Sequence, residues 1–308
     1  MTDSQTPQGV SIVVPTINRA AVLLDTLHDL LQQDFQPCEI IVVDQSDEVN
    51  SAAIELLRRG PVPARYFKAA FRGLPQARNF GWRQARYDIV LYVDDDIRTG
   101  PTLVRSHFEA HVRTGASMIA GGIDEARGDH PTRAQPGSFN WWTATAVRNF
   151  SANAAGWCLH APGGNFSVRR DFLEKVGGID EVFAVGAALY EESEFALRLR
   201  AAGGRTWFAP DARLTHLAAP MGGCRVERDW PRYMFGLAHN RSILIFRHLR
   251  LWHRPTAIAR LLLLGVSYSR ANRSLRTMTA TFRGLLAGRA AAHSLPLNTE
   301  LTAEECNI

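Results

Sequence analysis

The chain has 308 residues, 46% of them hydrophobic and 21% charged, an ordinary globular composition for one large α/β domain or two small ones. The net charge of +5 is uneven, because Trp230 to Thr299 holds eleven arginines and no Asp or Glu, while the remainder is net acidic. The amino terminus lacks a signal-type region, and no apolar run near the carboxyl end approaches the roughly 20 residues that cross a bilayer. The four cysteines, Cys38, Cys158, Cys224 and Cys306, lack metal-ligand or redox spacing. Together these features favour a cytoplasmic protein with reduced thiols.

The first elements in the chain predict a βαβ unit. Val10 to Pro15 is an apolar, β-rich run that ends at proline, and Ala20 to Gln33 carries leucines at helical spacing. Glu39 to Asp44 is a second buried strand that ends on an acid. Strand, helix and strand in this order predict a parallel pair with a right-handed crossover, so the loops after the two strands lie at the same edge of the sheet.

Further elements continue this pattern and lead to three consecutive acids. The sequence predicts a helix over Asn50 to Arg59, a strand over Ala64 to Lys68, a helix from Gly73 through Ala85, and a strand, buried on both faces, over Ile89 to Val93. Asp94, Asp95 and Asp96 follow directly. Adjacent carboxylates repel one another, so they form either a solvated turn or a site neutralised by a cation, for which Mg²⁺ or Mn²⁺ is the suitable kind.

The second half of the chain is less regular. The predicted elements are a strand at Met118–Gly122, a long loop at Asp124–Asn140, a glycine turn and strand at Pro162–Val168, helices at Arg170–Val176 and Tyr190–Arg200, and two short extended pieces, Thr206–Pro210 and Leu214–His216, joined by a turn. From Asp229 the pattern is helical, with a second helical segment from Pro255 to about Ala292. Only the two termini are predicted to be disordered.

Seven motifs in order give the chain a resemblance to the family 2 inverting glycosyltransferases of the GT-A fold, over about residues 9 to 250. They are Ser11-Ile-Val-Val-Pro-Thr16, Glu39-Ile-Ile-Val-Val-Asp44, Gly73 with Ala77-Arg-Asn79, Asp94-Asp95-Asp96, Gly163-Gly-Asn-Phe-Ser167, Gly177-Gly-Ile-Asp-Glu181 and Glu191-Glu-Ser-Glu-Phe195. The resemblance implies a Rossmann-like, mostly parallel α/β sheet flanked by helices. It divides the chain into a nucleotide-sugar-binding half (1–110), an acceptor-binding and catalytic half (111–230) and a basic helical extension (231–308).

The same resemblance assigns roles to individual residues. It implies nucleotide contacts from Pro15, Thr16, Asp44, Arg78, Asp94 and Asp95, metal contacts from Asp96 and His216, and acceptor contacts from Gly164, Asn165, Trp141 and Trp142. Glu192 occupies the catalytic-base position, with Glu191 as the alternative because the family often has Glu-Asp where this chain has Glu-Glu. Each residue also has a structural reading: Asp44 as a helix cap, Arg78 as a surface residue, His216 as a hydrogen bonder, the glutamates as helix-terminus acids and the tryptophans as packing residues.

The expected function is metal-dependent transfer of a sugar from a UDP, dTDP or GDP sugar to a hydroxyl of a glycan or a lipid-linked acceptor. Two alternatives are a nucleotidyltransferase, which would usually show a glycine-rich basic loop after the first strand, and a catalytically silent sugar-nucleotide binder. The arginine-rich C-terminal segment has three readings: packing on the catalytic domain, a homo-oligomer interface, or peripheral contact with an anionic membrane such as the inner face of the plasma membrane. No nucleic-acid-binding motif is present.

Overall fold

A computed structural model describes residues 7–126, 134–219, 229–294 and 296–308. Within these ranges the strands are β1 (Val10–Thr16), β2 (Cys38–Asp44), β3 (Ala64–Ala69), β4 (Ile89–Val93), β5 (Ile97–Thr99), β6 (Met118–Glu125), β7 (Ser138–Asn140), β8 (Thr145–Val147), β9 (Gly156–Cys158), β10 (Asn165–Arg169), β11 (Thr206–His216) and β12 (Ala303–Cys306). The helices are α1 (Ala20–Leu30), α2 (Ser51–Arg59), α3 (Leu74–Gln84), α4 (Leu103–Thr114), α5 (Arg170–Val176), α6 (Glu191–Ala201), α7 (Trp230–His248), α8 (Arg254–Ala271) and α9 (Leu275–Ala291). Short 3₁₀ helices cover Glu181–Ala184 and Leu251–His253.

One mixed sheet organises the molecule, with the strand order β12-β3-β2-β1-β4-β10-β6-β11-β5 and with β9 paired to β11. The predicted βαβ unit is confirmed, because β1 and β2 pair in parallel from Val10 opposite Cys38 to Thr16 opposite Asp44. β4 is also parallel to β1, whereas β10 runs antiparallel to β4. The loops after β1, β2 and β4 therefore meet at one edge of the sheet, where open α/β sheets bind their ligands.

Helices cover both faces of this sheet, which explains why its central strands are continuously apolar. Along β1, Val13 packs into a core formed with α3, α5 and α6, while its neighbours Ile12 and Val14 pack into a core formed with α1, α2 and α4. This alternation is the period of two that a strand imposes on its side chains. The doubly wound α/β architecture predicted from the sequence is confirmed.

The C-terminal helices form a third core, in which residues of α7, α8 and α9 pack with one another and with Phe139 and Leu197. The sequence predicts one helical segment from Pro255 to about Ala292, but the structure has two helices. The chain leaves α8 at Asn272 and passes through Arg273, whose φ of 48° lies in the left-handed region. A helix cannot continue through that conformation, so α9 starts anew at Leu275.

Three further predictions differ from the structure. Thr206–Pro210 and Leu214–His216 belong to one strand, β11, with a register irregularity between Ala209 and Arg213 instead of a turn. Part of the predicted loop at 124–140 forms β7, which pairs with β8, and residues 127–133 of that loop lie outside the described residues. The carboxyl end, predicted to be disordered, supplies β12 to the sheet.

Of the four cysteines, Cys224 lies outside the described residues, as does the N-terminal stretch 1–6, and the other three are free thiols. Among the described residues, no helix is both long and apolar enough to cross a bilayer. Strands from all three predicted regions join one sheet. The strand order does not mark a boundary at 110 or at 230, so both boundaries stay predictions.

Candidate active site

A cavity of about 510 Å³ opens at the carboxyl edge of β1 and β4, a size typical of small-molecule sites. The residues predicted from the sequence that line it are Pro15, Thr16, Arg78, Asp94, Asp95, Asp96, Gly164, Glu191, Glu192 and His216. Tyr233 and Leu237 of α7 close another part of its wall. Most of the predicted site residues are therefore brought together, although they are spread over 200 positions of the chain.

Asp95 is held by the loop after β1. Thr16 Oγ1 donates to Asp95 Oδ2 at 2.6 Å, and Arg19 Nη1 donates to Asp95 Oδ1 at 2.7 Å. Burial raises the pKa of Asp95 to about 6, against the opposing effect of the Arg19 cation. Both carboxylate oxygens are thus engaged by the protein, so Asp95 braces the edge of the cavity, although the sequence prediction assigned it to the nucleotide.

Arg19 is the important site residue that the sequence analysis missed. Its guanidinium also lies 3.3 Å from Asp96 Oδ2 and therefore contacts two of the three consecutive acids. A signal for it existed, because three adjacent carboxylates require a neutralising partner and Arg19 directly follows the loop at the same sheet edge.

Asp94, Asp96 and His216 form a group whose potential ligand atoms lie within 4.8 Å of one another. The short strand β5, which begins directly after Asp96, pairs antiparallel with the end of β11, so that His216 lies opposite Ile97. The backbone N–H of Leu217 donates to Asp96 O at 2.8 Å and fixes the join. Strand pairing thus brings a histidine that is 120 residues distant to the acids.

The surroundings of this group fit a divalent cation. Asp96 Oδ1 is buried without a hydrogen-bond partner, while Asp96 Oδ2 accepts from the Ala219 N–H at 2.8 Å. His216 Nε2 lies 3.4 Å from Asp96 Oδ1, and its Nδ1 lies 2.8 Å from Glu125 Oε2. A carboxylate behind a histidine in this way orients metal ligands in many proteins. Burial lowers the pKa of His216, but the carboxylates of Asp96 and Glu125 raise it to a net value of about 10, so a cation bound here would displace a proton from the imidazole.

Gly164 sits against this group. A Cβ atom at position 164 would come within 2.6 Å of Asp94 Oδ2, so the close approach of this loop to the acid requires glycine. Gly164 therefore lines the cavity, and its contact in the structure is with Asp94.

Arg78 has a different environment from the one expected of a nucleotide-binding arginine. It is 1% exposed, and its Nη1 forms an ion pair with Glu191 Oε1. Its Nη2 donates to Gly163 O at 2.5 Å and lies 3.4 Å from Asp94 Oδ1. Arg78 thus ties α3 to the Gly163 loop, the strand-end acids and the start of α6, and it is a positioning residue in this structure.

The three glutamates at the start of α6 separate into three roles. Glu191 is 1% exposed and is paired with Arg78, whereas the half-buried Glu192 lines the cavity. Burial raises the pKa of Glu194, but Arg198 and His248 lower it to about 2, and Arg198 Nε donates to it at 2.8 Å. Glu194 is therefore an internal counter-ion, and Glu192 is the glutamate of the three with an accessible carboxylate.

His160 is a second cavity residue that the sequence analysis missed. Burial lowers the pKa of its imidazole, and the negative charge of Glu192 opposes this effect. His160 lines the cavity with Glu192. In the sequence it is a lone histidine between two short extended segments, and nothing in that pattern predicts its place in the cavity.

The structure corrects the predicted role of Asn165. Its side chain is fully buried, donating to Gly122 O at 2.9 Å and to Ala212 O at 2.8 Å, while His107 Nε2 lies 2.8 Å from its Oδ1. These partners use the whole amide, so Asn165 holds β6, β10 and β11 together and does not reach the cavity.

The two tryptophans also lie outside this cavity. Trp141 packs on Phe139 with ring centroids 4.7 Å apart, and Trp142 packs edge-on against His253 with centroids 4.4 Å apart. Both line a separate surface depression, so their contact with the acceptor stays a prediction.

Asp44 lies at the end of β2, where its Oδ2 accepts from the Tyr66 hydroxyl and its Oδ1 from the Ser46 N–H at 2.9 Å. It lines a neighbouring cavity rather than the main one, and Thr16 is common to both. A nucleotide spanning the two cavities would contact both residues, so the role of Asp44 in nucleotide binding stays a prediction.

Comparisons with known proteins identify relatives in sequence and similar solved structures. The hyaluronan synthase of Pasteurella multocida is 34% identical over 102 residues, which are 32% of this chain and 10% of that protein. The chain therefore spans only a small part of the curated relative it matches. Its fold resembles the mannosyltransferase PcManGT from Pyrobaculum calidifontis, solved with GDP-Man and Mn²⁺, with a TM-score of 0.57, 17% identity and coverage of 94% of this chain and 88% of that chain.

A second solved structure, S. aureus TarS in complex with UDP-GlcNAc, gives a TM-score of 0.61 at 16% identity and covers 92% of this chain and 81% of that chain. These likenesses confirm the GT-A fold. The profile of the family named Glycosyl transferase family 2 matches residues 11–177, more than half of the sequence. The chain belongs to glycosyl transferase family 2.

Proposed function

We propose that the protein is an inverting glycosyltransferase that moves a sugar from a nucleoside-diphosphate sugar to an acceptor hydroxyl with the help of a divalent cation. One observation carries the proposal: a candidate cation site and an accessible carboxylate, Glu192, line the same cavity. The nucleotide sugars named in the two solved structures support the class of donor.

The cation would be held by Asp94, Asp96 and His216, with Glu125 orienting the histidine. When bound, Mg²⁺ or Mn²⁺ supplies Lewis-acid stabilisation for the negative charge of the leaving diphosphate. Arg19 holds Asp95 and Asp96 in place, so that the acids present a fixed edge to the donor. Asp96 Oδ1 is buried, makes no hydrogen bond and lies 3.4 Å from His216 Nε2, which supports its role as a ligand atom beside the histidine.

Glu192 is the proposed general base. It removes the proton of the acceptor hydroxyl while the acceptor oxygen forms a bond to the anomeric carbon and the bond from that carbon to the diphosphate oxygen breaks. The proton ends on Glu192, and the bonding electrons leave with the nucleoside diphosphate. One displacement without a protein nucleophile inverts the anomeric centre.

The acceptor is proposed to be a hydroxyl of a glycan or of a lipid-linked glycan. The name of the P. multocida relative, hyaluronan synthase, supports the first of these. Tyr233 and Leu237 of α7 supply an amphipathic wall, and such side chains suit the faces of sugar rings.

Donor binding with Asp96→Asn tests the proposal. In the parent protein Mn²⁺ should strengthen the binding of a UDP, GDP or dTDP sugar measured by titration calorimetry. The substitution keeps an oxygen for the Ala219 N–H but removes the charge, so the effect of Mn²⁺ should fall by at least about tenfold. Asp211→Asn, which alters an exposed acid on β11, is the matched control and should change nothing. An equal Mn²⁺ effect in both variants would refute the cation site, and the failure of every sugar nucleotide to bind would refute the function.

A further inference from the structure

The helix α9 buries mostly small residues and exposes several large apolar ones, the opposite of the usual pattern for a surface helix. Its buried residues are Thr277, Thr281, Gly284 and Gly288, all small or polar, and the apolar Leu285. A Cβ atom on Gly284 would collide with Phe235 O of α7, and one on Gly288 would collide with His239 O. The inner side of α9 therefore packs backbone against backbone on α7 at Gly284 and Gly288, and Leu285 is the large apolar side chain that it adds to the third core.

The outer side of α9 carries three large apolar residues. Leu275 is 84% exposed, Phe282 51% and Leu286 50%. Arg276 and Arg283 are exposed beside them on the same side of the helix. A helix on the surface of a globular protein normally turns its large apolar residues towards the core, so this reversed pattern indicates that something covers the outer side. We call Leu275, Arg276, Phe282, Arg283 and Leu286 the outer face of α9.

The surrounding segment shares this character. Most of the exposed large apolar side chains in the described ranges follow Asp229, including Leu251, Trp252 and Leu263. The guanidinium of Arg250 lies 5.2 Å from the ring centroid of Trp252. Arg276 and Arg283 are exposed, and the sequence from Trp230 to Thr299 has no carboxylate side chain, so a surface that tolerates apolar groups and carries negative charge would match this face.

We propose that the outer face of α9 docks on an anionic lipid surface. Lipid headgroups neutralise Arg276 and Arg283, and the acyl boundary accepts Leu275, Phe282 and Leu286, as in helices that lie in the plane of a membrane interface. A second copy of the chain is disfavoured, since two acid-free faces would bring arginines against arginines. An acidic protein would also offset the charge of Arg276 and Arg283, and the flotation experiment distinguishes it because such a partner predicts no binding to vesicles.

This surface connects to the cavity through α7. The helix contributes Tyr233 and Leu237 to the cavity wall and packs closely on the inner side of α9. A single layer of helix, about 10 Å thick, therefore separates the cavity from α9. Docking of α9 on lipid would hold the cavity near the lipid surface. The docking proposal stands on the face itself and does not depend on the glycosyltransferase proposal.

Vesicle flotation of the full chain tests the proposal. The parent protein should float with vesicles of equal phosphatidylglycerol and phosphatidylcholine and remain unbound with phosphatidylcholine alone. Two variants, L275S/F282S/L286S and R276Q/R283Q, should each partition about tenfold less well or worse. The matched control V112S/R113Q removes an exposed apolar residue and an exposed arginine from α4, and should bind like the parent.

Several results would overturn the proposal: no binding of the parent to anionic vesicles, binding by the two variants that equals that of the parent, or loss of binding in the α4 control. Sedimentation equilibrium of the parent without lipid addresses a second copy, because self-association that the same substitutions abolish would identify a dimer interface instead. Hydroxyl-radical footprinting of the unmodified chain remains decisive even where a variant fails to fold. Vesicles should then protect Phe282 and Leu286 but not Val112, and equal reactivity with and without vesicles would refute docking.

Discussion

Glu191 and Glu192 are adjacent in the chain but face different surroundings. The αL conformation of Tyr190, with φ of 71°, starts α6 so that Glu191 turns inward to Arg78 and Glu192 turns to the cavity. The sequence could place a catalytic base within this pair, because the family that the chain resembles has its base in the acidic segment before an arginine-bearing helix. It favoured Glu192 and left Glu191 open, since the environment that separates them depends on a buried arginine from α3.

Glu192→Gln should therefore retain the donor affinity of the parent and lose transfer. The amide has nearly the same shape but cannot accept the acceptor proton, so kcat should fall by about 10²- to 10⁴-fold. Glu174→Gln, an exposed glutamate on α5, provides the comparison. Transfer rates and donor titrations on both variants check this prediction, and near-parental turnover in Glu192→Gln would assign the base to another group.

Arg78 and Glu191 should behave as a coupled buried pair. Removing either charge alone leaves the other buried without its partner, so Arg78→Met and Glu191→Gln should each lower the free energy of unfolding by about 3–5 kcal/mol. The double variant should be more stable than the sum of the single changes implies. Urea unfolding of the four proteins measures this coupling.

The exposed pair of Arg105 and Asp34 is the control for this cycle, and its loss should cost less than about 1 kcal/mol. The cycle also separates the two roles of Arg78. If Arg78 bound the nucleotide directly, Arg78→Met would weaken donor binding in the folded protein while Glu191→Gln would not. A positioning role predicts that both substitutions affect donor binding and turnover similarly.

Among the elements, β11 and β5 show most clearly what the sequence could not give. The run from Thr206 to His216 contains proline and an acid, so it predicts a turn, whereas the structure accommodates both residues in one irregular strand. β5 has only three residues, too few for a periodic signal. The pairing of these two strands nevertheless brings His216 to Asp96, so the neighbourhood of the candidate cation site depends on a contact that local patterns do not encode.

The helix α4 contributes buried histidines that the sequence analysis did not single out. His107 Nδ1 and His111 Nε2 each lie 2.9 Å from Ser167 Oγ on β10. Burial lowers the pKa of His107 to about 4 and that of His111 to about 3, while an unfolded histidine titrates near 6.5. Below pH 6.5 the unfolded chain binds protons that the native state does not, so stability falls as the pH decreases towards 4.

Each of these histidines should cost roughly 2 kcal/mol of stability between pH 7 and pH 5. His107→Gln preserves a polar group towards Asn165 but cannot be protonated, so its stability should decline less over this range by about that amount. Urea unfolding at the two pH values measures the difference. His293→Gln, an exposed histidine, should show the same decline as the parent, and an equal decline in His107→Gln would contradict the buried-histidine explanation.

At the scale of the whole molecule, the βαβ half was predictable because its strands are continuous apolar runs and its helices have regular leucine spacing. The confirmed pairing of β1 with β2 and β4 follows from that regularity. The sheet's far edge was not predictable. β12 is a four-residue strand, Ala-Glu-Glu-Cys, whose composition resembles a polar tail, and its partner β3 lies more than 230 residues earlier.

The segment that leads to β12 is attached at several points. Leu297 N–H donates to Asp180 Oδ1 at 2.8 Å, and Arg83 Nη1 donates to Thr299 O at 3.0 Å. Leu301 and Ala303 pack against one core, and Cys306 and Ile308 pack against the other. The end of the described chain therefore contacts both faces of the sheet and covers the edge of β3.

Removal of residues 302–308 should consequently affect both stability and solubility. The loss of partly buried apolar groups and of the β12 ladder should lower the free energy of unfolding by roughly 2–4 kcal/mol. The uncovered edge of β3 offers unpaired N–H and C=O groups to other chains, so light scattering should reveal concentration-dependent association. Glu304→Gln with Glu305→Gln changes the charge of the same strand while leaving its backbone pairing in place, and it should remain as stable and as monodisperse as the parent. If the truncated chain unfolded at the same urea concentration as the parent, β12 would have no part in holding the sheet together.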